Sequence, residues 1–296
     1  MGLLAVYGHC TVDRITISGD TYEQIGGSAC YCAIMARRLG FDAHMLTRFG
    51  PDFPRAYLDD ERVTYADSAL SSSMTTRFAL SVAGGGGAER TLKLEHACTP
   101  IDYEPSGDAD CTVVSPLCGE ISGETLAMVK KDSAFLLVDP QGFLRVSGGG
   151  DGTVTLRRAD LDLSGVGAVK ASRDEAYHLT GASGDEAMIL LQKRGVSNVL
   201  YTDGVNISLL NGDKIYSIVL PNKRIYDTTG VGDILCSAFC CTMIKERDFL
   251  WALCFAGGAA QAALDSKSVG LQKIPRKGQV QVNASYFYNM VKFRTL

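Results

Sequence analysis

The chain has 296 residues, 46% of them hydrophobic, with 29 basic against 33 acidic side chains and a net charge of −4. That is enough chain to bury one large core or two small ones, and the composition excludes disorder and a coiled-coil rod. A slightly acidic chain also lacks the cationic excess that sequence-independent binding of nucleic acid requires.

Leu3–Val6 reads as a short apolar strand. Ala29, Cys32, Ala33, Ala36 and Leu39 then recur at helical spacing, and Gly40 closes that helix. Residues 43–48 read as a strand. Thr76–Val82 and Arg90–Leu94 flank four glycines, Gly84–Gly87, and predict a hairpin. From Cys111 onward strands and helices alternate. Cys111–Ser115 and Phe135–Val138 flank a helix near Gly123–Lys131, and a loop is expected at Ser147–Gly152. Strands follow at Ala168–Ala171, Val199–Tyr201, 206–210 and 214–219, with helices at 173–180 and 185–194. The last third reads as helices at 232–245, 248–264 and about 283–292. Such alternation predicts an α/β fold, a doubly wound and mostly parallel sheet covered on both faces. The hairpin lies outside that rhythm and reads as a β-lid.

Ten cysteines without a CxxC, several inside apolar helical runs, read as small core residues and point to a reducing, cytoplasmic setting. Residues 1–10 lack the basic start of a signal peptide and the Ser or Thr of a myristoylation signal. The longest apolar run, Phe249–Ala260, is too short to span a bilayer, so no membrane partner is expected. His9, His44, His96 and His178 show no metal-binding spacing and read as structural. Neither GxxxxGK[ST] nor GxGxxG occurs.

The segment that carries chemistry is Asp227-Thr228-Thr229-Gly230-Val231-Gly232-Asp233, followed by the apolar run Ile234–Ile244. Glycines at a helix start free its first N–H groups to face an anion, and the helix dipole favours negative charge there. A carboxylate among them suits phosphoryl transfer, accepting the proton of an attacking hydroxyl. The same residues would also serve as a Thr/Asp cap and a glycine turn into a buried helix.

This heptapeptide resembles the C-terminal signature of the ribokinase-like, or pfkB, carbohydrate kinases, with Val231 in place of the common Ala. The resemblance extends over nearly the whole chain, through Asp13, the pair Gly26-Gly27, Ser172-x-x-Glu175 and Thr202-x-Gly204. It implies one kinase domain over 1–296, with a discontinuous lid from about 11–24 and 73–97. By resemblance, Asp233 would be the general base, and the amides of Gly230, Val231 and Gly232 the anion hole. Asp13, Gly26, Gly27, Tyr31 and Arg145 would bind the acceptor, whereas Ser172, Glu175, Thr202 and Gly204 would border the nucleotide. Glu175 would act on Mg²⁺ through water. Asp227 and Thr229, with residues around Ser268 and Gly270, match a monovalent-cation site, and K⁺ dependence is left open.

The departures are as informative. Tyr31 stands where the family usually has Asn, and Ser172 opens its Asn-x-x-Glu motif. Asp139-Pro140-Gln141-Gly142-Phe143-Leu144-Arg145 resembles a loop of archaeal and inositol-kinase-like branches. The expectation is an ATP- and Mg²⁺-dependent kinase of a small sugar or polyol, with ADP disfavoured as donor and pairing through the lid as in relatives. A nucleoside kinase, or a non-catalytic binding protein that keeps the fold, are the alternatives.

Overall fold

The computed structural model describes residues 2–17, 19–82, 90–148, 150–221 and 227–296. The glycine turn expected at Gly84–Gly87 lies outside them.

Seven parallel strands form the body of a ten-stranded sheet. Across the sheet they run Asn198–Asp203, Ala168–Ser172, Leu136–Val138, Cys111–Val114, Leu3–Tyr7, Asp42–Leu46 and Thr64–Tyr65. Antiparallel strands Asn206–Asn211, Lys214–Val219 and Lys292–Thr295 extend one edge. The central strands are buried on both faces, as their continuous apolar runs predict. One face packs on helices Ser28–Leu39, Val231–Glu246, Phe249–Leu264 and Lys277–Met290, and the other on Gly123–Asp132, Arg173–Thr180 and Gly184–Lys193. Between Leu3–Tyr7 and Cys111–Val114 the strand order changes direction, which opens a crevice at the carboxyl ends of the strands.

A second, six-stranded sheet stands over that crevice. Its strands run Arg145–Gly148, Thr153–Leu156, Arg90–His96, Arg77–Val82, Thr11–Ile17 and Asp20–Gly26. The expected hairpin is present, with Leu80 opposite Leu92. Of the loop expected at Ser147–Gly152, Gly150–Gly152 is turn, whereas Ser147 and Gly148 end the first strand of a further hairpin, joined to this sheet through Thr153 and Lys93. The glycines mark the turn between two short, half-exposed strands, Arg145–Gly148 and Thr153–Leu156, that pair with each other. The last helix begins at Lys277 rather than near 283, because the polar Gln279 and Gln281 blur its apolar period.

The ten cysteines are unpaired and all but Cys118 are buried, as core residues would be. Each histidine ring is hydrogen-bonded, to Thr76 and Thr99, Thr64, Ser73, or the Asp174 carbonyl. Among the described residues no helix is long and apolar enough to cross a membrane.

Candidate active site

A cavity of about 510 Å³ lies between the carboxyl ends of the strands and the second sheet. Asp13, Gly27, Tyr31, Arg145, Ser172, Glu175, Thr229, Gly230, Gly232 and Asp233 line it. Residues separated by two hundred positions thus meet in one crevice.

Gly230 opens the helix Val231–Glu246 in the left-handed region, at φ 72°. A Cβ there would collide with the Tyr31 ring, so both conformation and space require glycine. The Val231 N–H turns back to the Thr228 carbonyl at 3.3 Å, and Ile234 N–H closes the first helical bond onto Gly230 at 3.0 Å. Gly232 faces the cavity. Gly27 begins the other helix at φ 90°, and a Cβ on it would strike the His9 carbonyl. The two glycines let helix starts close in from opposite sides.

Asp233 is buried in the first turn of its helix. The Ser115 hydroxyl donates to its Oδ1 at 2.9 Å, and Gln141 Nε2 donates to that hydroxyl at 3.3 Å. Burial, with Asp139 nearby as a second negative charge, pushes the Asp233 carboxyl up to about 7. Such a carboxyl is poised to take up a proton near neutral pH.

Beside it lies a buried ionic cluster. Lys170 Nζ is 3.0 Å from Asp139 Oδ2 and 3.4 Å from Glu175 Oε2. A Cβ on Gly232 would stand 3.3 Å from that ammonium, so Lys170 faces the first turn of the helix. Lys170 is held above its usual range: burial opposes the charge, but the two carboxylates prevail. Glu175 is lowered despite its burial, through Lys170 and the Ser172 N–H. Ser172 and Glu175 also cap helix Arg173–Thr180 reciprocally, with Ser172 N–H to Glu175 Oε2 at 2.7 Å and Glu175 N–H to Ser172 Oγ at 3.3 Å.

At the far end Asp13 accepts from the Thr11 hydroxyl at 2.8 Å and the Phe78 N–H at 3.1 Å. Burial outweighs both bonds and raises its carboxyl to about 7. Ile15, Leu80 and Leu92 are register neighbours across three strands and form an apolar stripe on the cavity wall. Among the described residues no cluster of three or more His, Cys, Asp or Glu could cage a metal. Asp139 and Glu175 line the cavity and both face the Lys170 ammonium, so Mg²⁺ would reach them only through the waters it keeps.

Residues 153–276 match the pfkB family of carbohydrate kinases. It is 29% identical to the inositol 3-kinase of Arabidopsis thaliana over 190 residues, 60% of this chain and 52% of that protein. The match therefore spans about half the length of this curated relative. The fold is ribokinase-like. It overlays, at TM-score 0.79 and 20% identity, a pyrophosphate-dependent myo-inositol-1 kinase converted into a myo-inositol-3 kinase by exchanging an asparagine and a serine for leucines. That overlay covers 96% of this chain and 99% of the other. Arabidopsis thaliana ribokinase, complexed with ribose and ATP, overlays at TM-score 0.76 and 19% identity, over 96% and 99%.

Within this cavity most of the expected residues converge. Gly26 lies behind Gly27, outside the cavity wall, and Val231 has its amide turned to Thr228. Thr202 is level with Ser172 on the neighbouring strand and Gly204 turns the hairpin beyond it, and neither is among the residues that line the cavity. Asp227 and Thr229 meet each other, with Thr229 N–H donating to Asp227 Oδ1 at 2.8 Å. Sequence reasoning missed Lys170, Ser115 and Lys273. A lysine inside the buried run Ala168–Ser172 was a signal that could have found the first.

Proposed function

We propose that the protein is a kinase that transfers a phosphoryl group to a hydroxyl of an inositol-like polyol. The observation that carries this reading is Asp233. It is buried at a helix start beside Gly232 and Lys170, raised to about 7, and open to a cavity that also holds Asp13.

The chemistry follows from the residues. Asp13 accepts hydroxyl hydrogen bonds and turns the acceptor, while the apolar stripe takes the C–H face of its ring. Asp233 takes the proton of the attacking hydroxyl as the new O–P bond forms and the bond to the leaving phosphate breaks. The start of helix Val231–Glu246, Lys170 and Arg145 offset the charge on the moving phosphoryl group. Asp139 and Glu175 would hold Mg²⁺ through its waters, and the ion would neutralise donor phosphate oxygens. The second sheet acts as a lid, and its closure keeps water from the phosphoryl group. ATP is the donor we favour, as the Arabidopsis ribokinase complex holds it. Ten unpaired cysteines suit a reducing cytoplasm.

The second sheet sharpens the acceptor. Leu80 and Leu92 face each other across the hairpin and both line the cavity. Two leucines are also what give the solved neighbour its 3-kinase specificity. We therefore assign phosphorylation to the inositol 3-hydroxyl. The test is an acceptor panel of inositols, pentoses, hexoses and nucleosides, run with ATP or pyrophosphate and Mg²⁺. Product stereochemistry is then read by chiral chromatography, because the 1- and 3-phosphates of myo-inositol are mirror images. Turnover confined to nucleosides would refute the acceptor, and saturable binding without turnover on any acceptor would refute the activity. The double variant Leu80→Asn, Leu92→Ser is expected to move phosphorylation toward the 1-position.

A further inference from the structure

The loop that enters helix Val231–Glu246 is braced by a lysine from far along the chain. Lys273 closes a short 3-10 turn, Gly270–Lys273, and its side chain is wholly buried. Its Nζ stands 2.9 Å from Asp227 Oδ2 and 3.1 Å from the Asp227 carbonyl oxygen. Gly270 N–H adds a bond to the same Oδ2 at 3.3 Å, and Thr229 N–H takes Oδ1 at 2.8 Å. A dissolved K⁺ needs a cage of oxygen ligands to replace its hydration shell. Here N–H donors already face both Asp227 oxygens, and an ammonium holds the carbonyl. A second cation at that spot would also meet the full charge of Lys273. The residues do not fit a dissolved monovalent ion.

The lysine reaches the phosphoryl-binding end by two routes. Through Asp227 it fixes Thr229, next to Gly230. Its ammonium also lies 5.9 Å from the centre of the Tyr31 ring, the ring that packs against Gly230. Tyr31 thereby gains a role that suits a tyrosine better than an amide: it is the plate between a buried cation and the helix start.

We propose that the Lys273 ammonium is a tethered monovalent cation that takes the place of K⁺ beneath the anion-binding helix start, so that the protein works without a dissolved one. Lys273 is a positioning residue, and its catalytic consequence rests on the kinase reading above.

The experiment compares wild type and Lys273→Met in buffers whose monovalent cation is tetramethylammonium, potassium or ammonium. Turnover and melting temperature are both measured, the latter without substrate. Wild type is expected to turn over and melt alike in all three. Lys273→Met keeps the shape but not the charge. It should lose about tenfold or more in turnover in tetramethylammonium, and potassium or ammonium should restore part of both turnover and melting temperature. Several-fold activation of wild type by potassium would overturn the proposal, as would a variant equally impaired with every cation. If Lys273→Met does not fold, the wild-type comparison alone decides. Should no acceptor be phosphorylated, the kinase reading fails, while the melting arm still judges the tethered cation.

Discussion

Asp233→Asn separates the cost of the buried carboxylate from its use. Burial and Asp139 raise the Asp233 carboxyl from 3.8 to about 7 in the folded protein. A carboxyl whose folded value lies above its unfolded one adds stability that is complete below about pH 4. That stability is lost as the pH climbs through 7. Holding this charge inside the fold therefore costs about 4 kcal/mol above neutrality. Asparagine has the same shape and carries no charge. Its Oδ1 still accepts from the Ser115 hydroxyl, though the bond becomes a neutral one and gives back about 1 kcal/mol. The variant should thus be more stable than wild type by about 3 kcal/mol at pH 8, with nearly all of that advantage gone by about pH 4. Urea melts of both proteins at the two pH values measure it. The same variant cannot take up the acceptor proton, and its turnover should fall by about 10²–10⁴, with nucleotide binding intact. A variant that is no more stable than wild type at either pH would refute the buried-charge reasoning. Retained turnover would refute the assignment of the base.

Other outcomes follow from neighbouring groups. Asp233 must be ionised to act, so wild-type turnover should rise with pH and level off above about 7. Asp13→Asn should raise the KM for the acceptor by about 10- to 100-fold and change kcat far less, as steady-state kinetics at constant donor would reveal. Lys170→Met leaves Asp139 and Glu175 as adjacent buried carboxylates, at a cost of about 3–5 kcal/mol in chemical denaturation. It also removes a cation near Asp233, and the pH–rate profile should shift to higher pH.

What the sequence made legible is local. Asp227–Asp233 could be read because a glycine turn, a helix start and a carboxylate lie within seven residues, and each has its own backbone or charge signature. Gly27 and the first helix were legible for the same reason. Ser115 and Lys273 were not, because their meaning is a partner far away. Ser115 meets Asp233 across 118 positions, and Lys273 meets Asp227 across 46. A polar residue at the end of an apolar strand, or in a short 3-10 turn, carries no period and no motif until the fold supplies its neighbour. The hairpin at Arg145–Leu156 showed only its glycine turn, because its strands are four residues each and too short to carry an alternating pattern.

The difference has an energetic basis. Asp13 and Asp233 are both raised to about 7, so the cavity resists becoming fully charged at neutral pH. A sequence that favoured stability alone would not bury two such carboxylates with so few donors around them. Lys170 and Lys273 are placed differently, each locked onto its own carboxylates, Asp139 and Glu175 for one and Asp227 for the other. The fixed ion pairs therefore hold the phosphoryl-binding side in shape, while the two raised carboxylates wait for hydroxyl groups to complete their hydrogen bonds. An acceptor that supplies those hydroxyls relieves a penalty at Asp13 and Asp233 and lowers both carboxyls, so its binding is coupled to proton release.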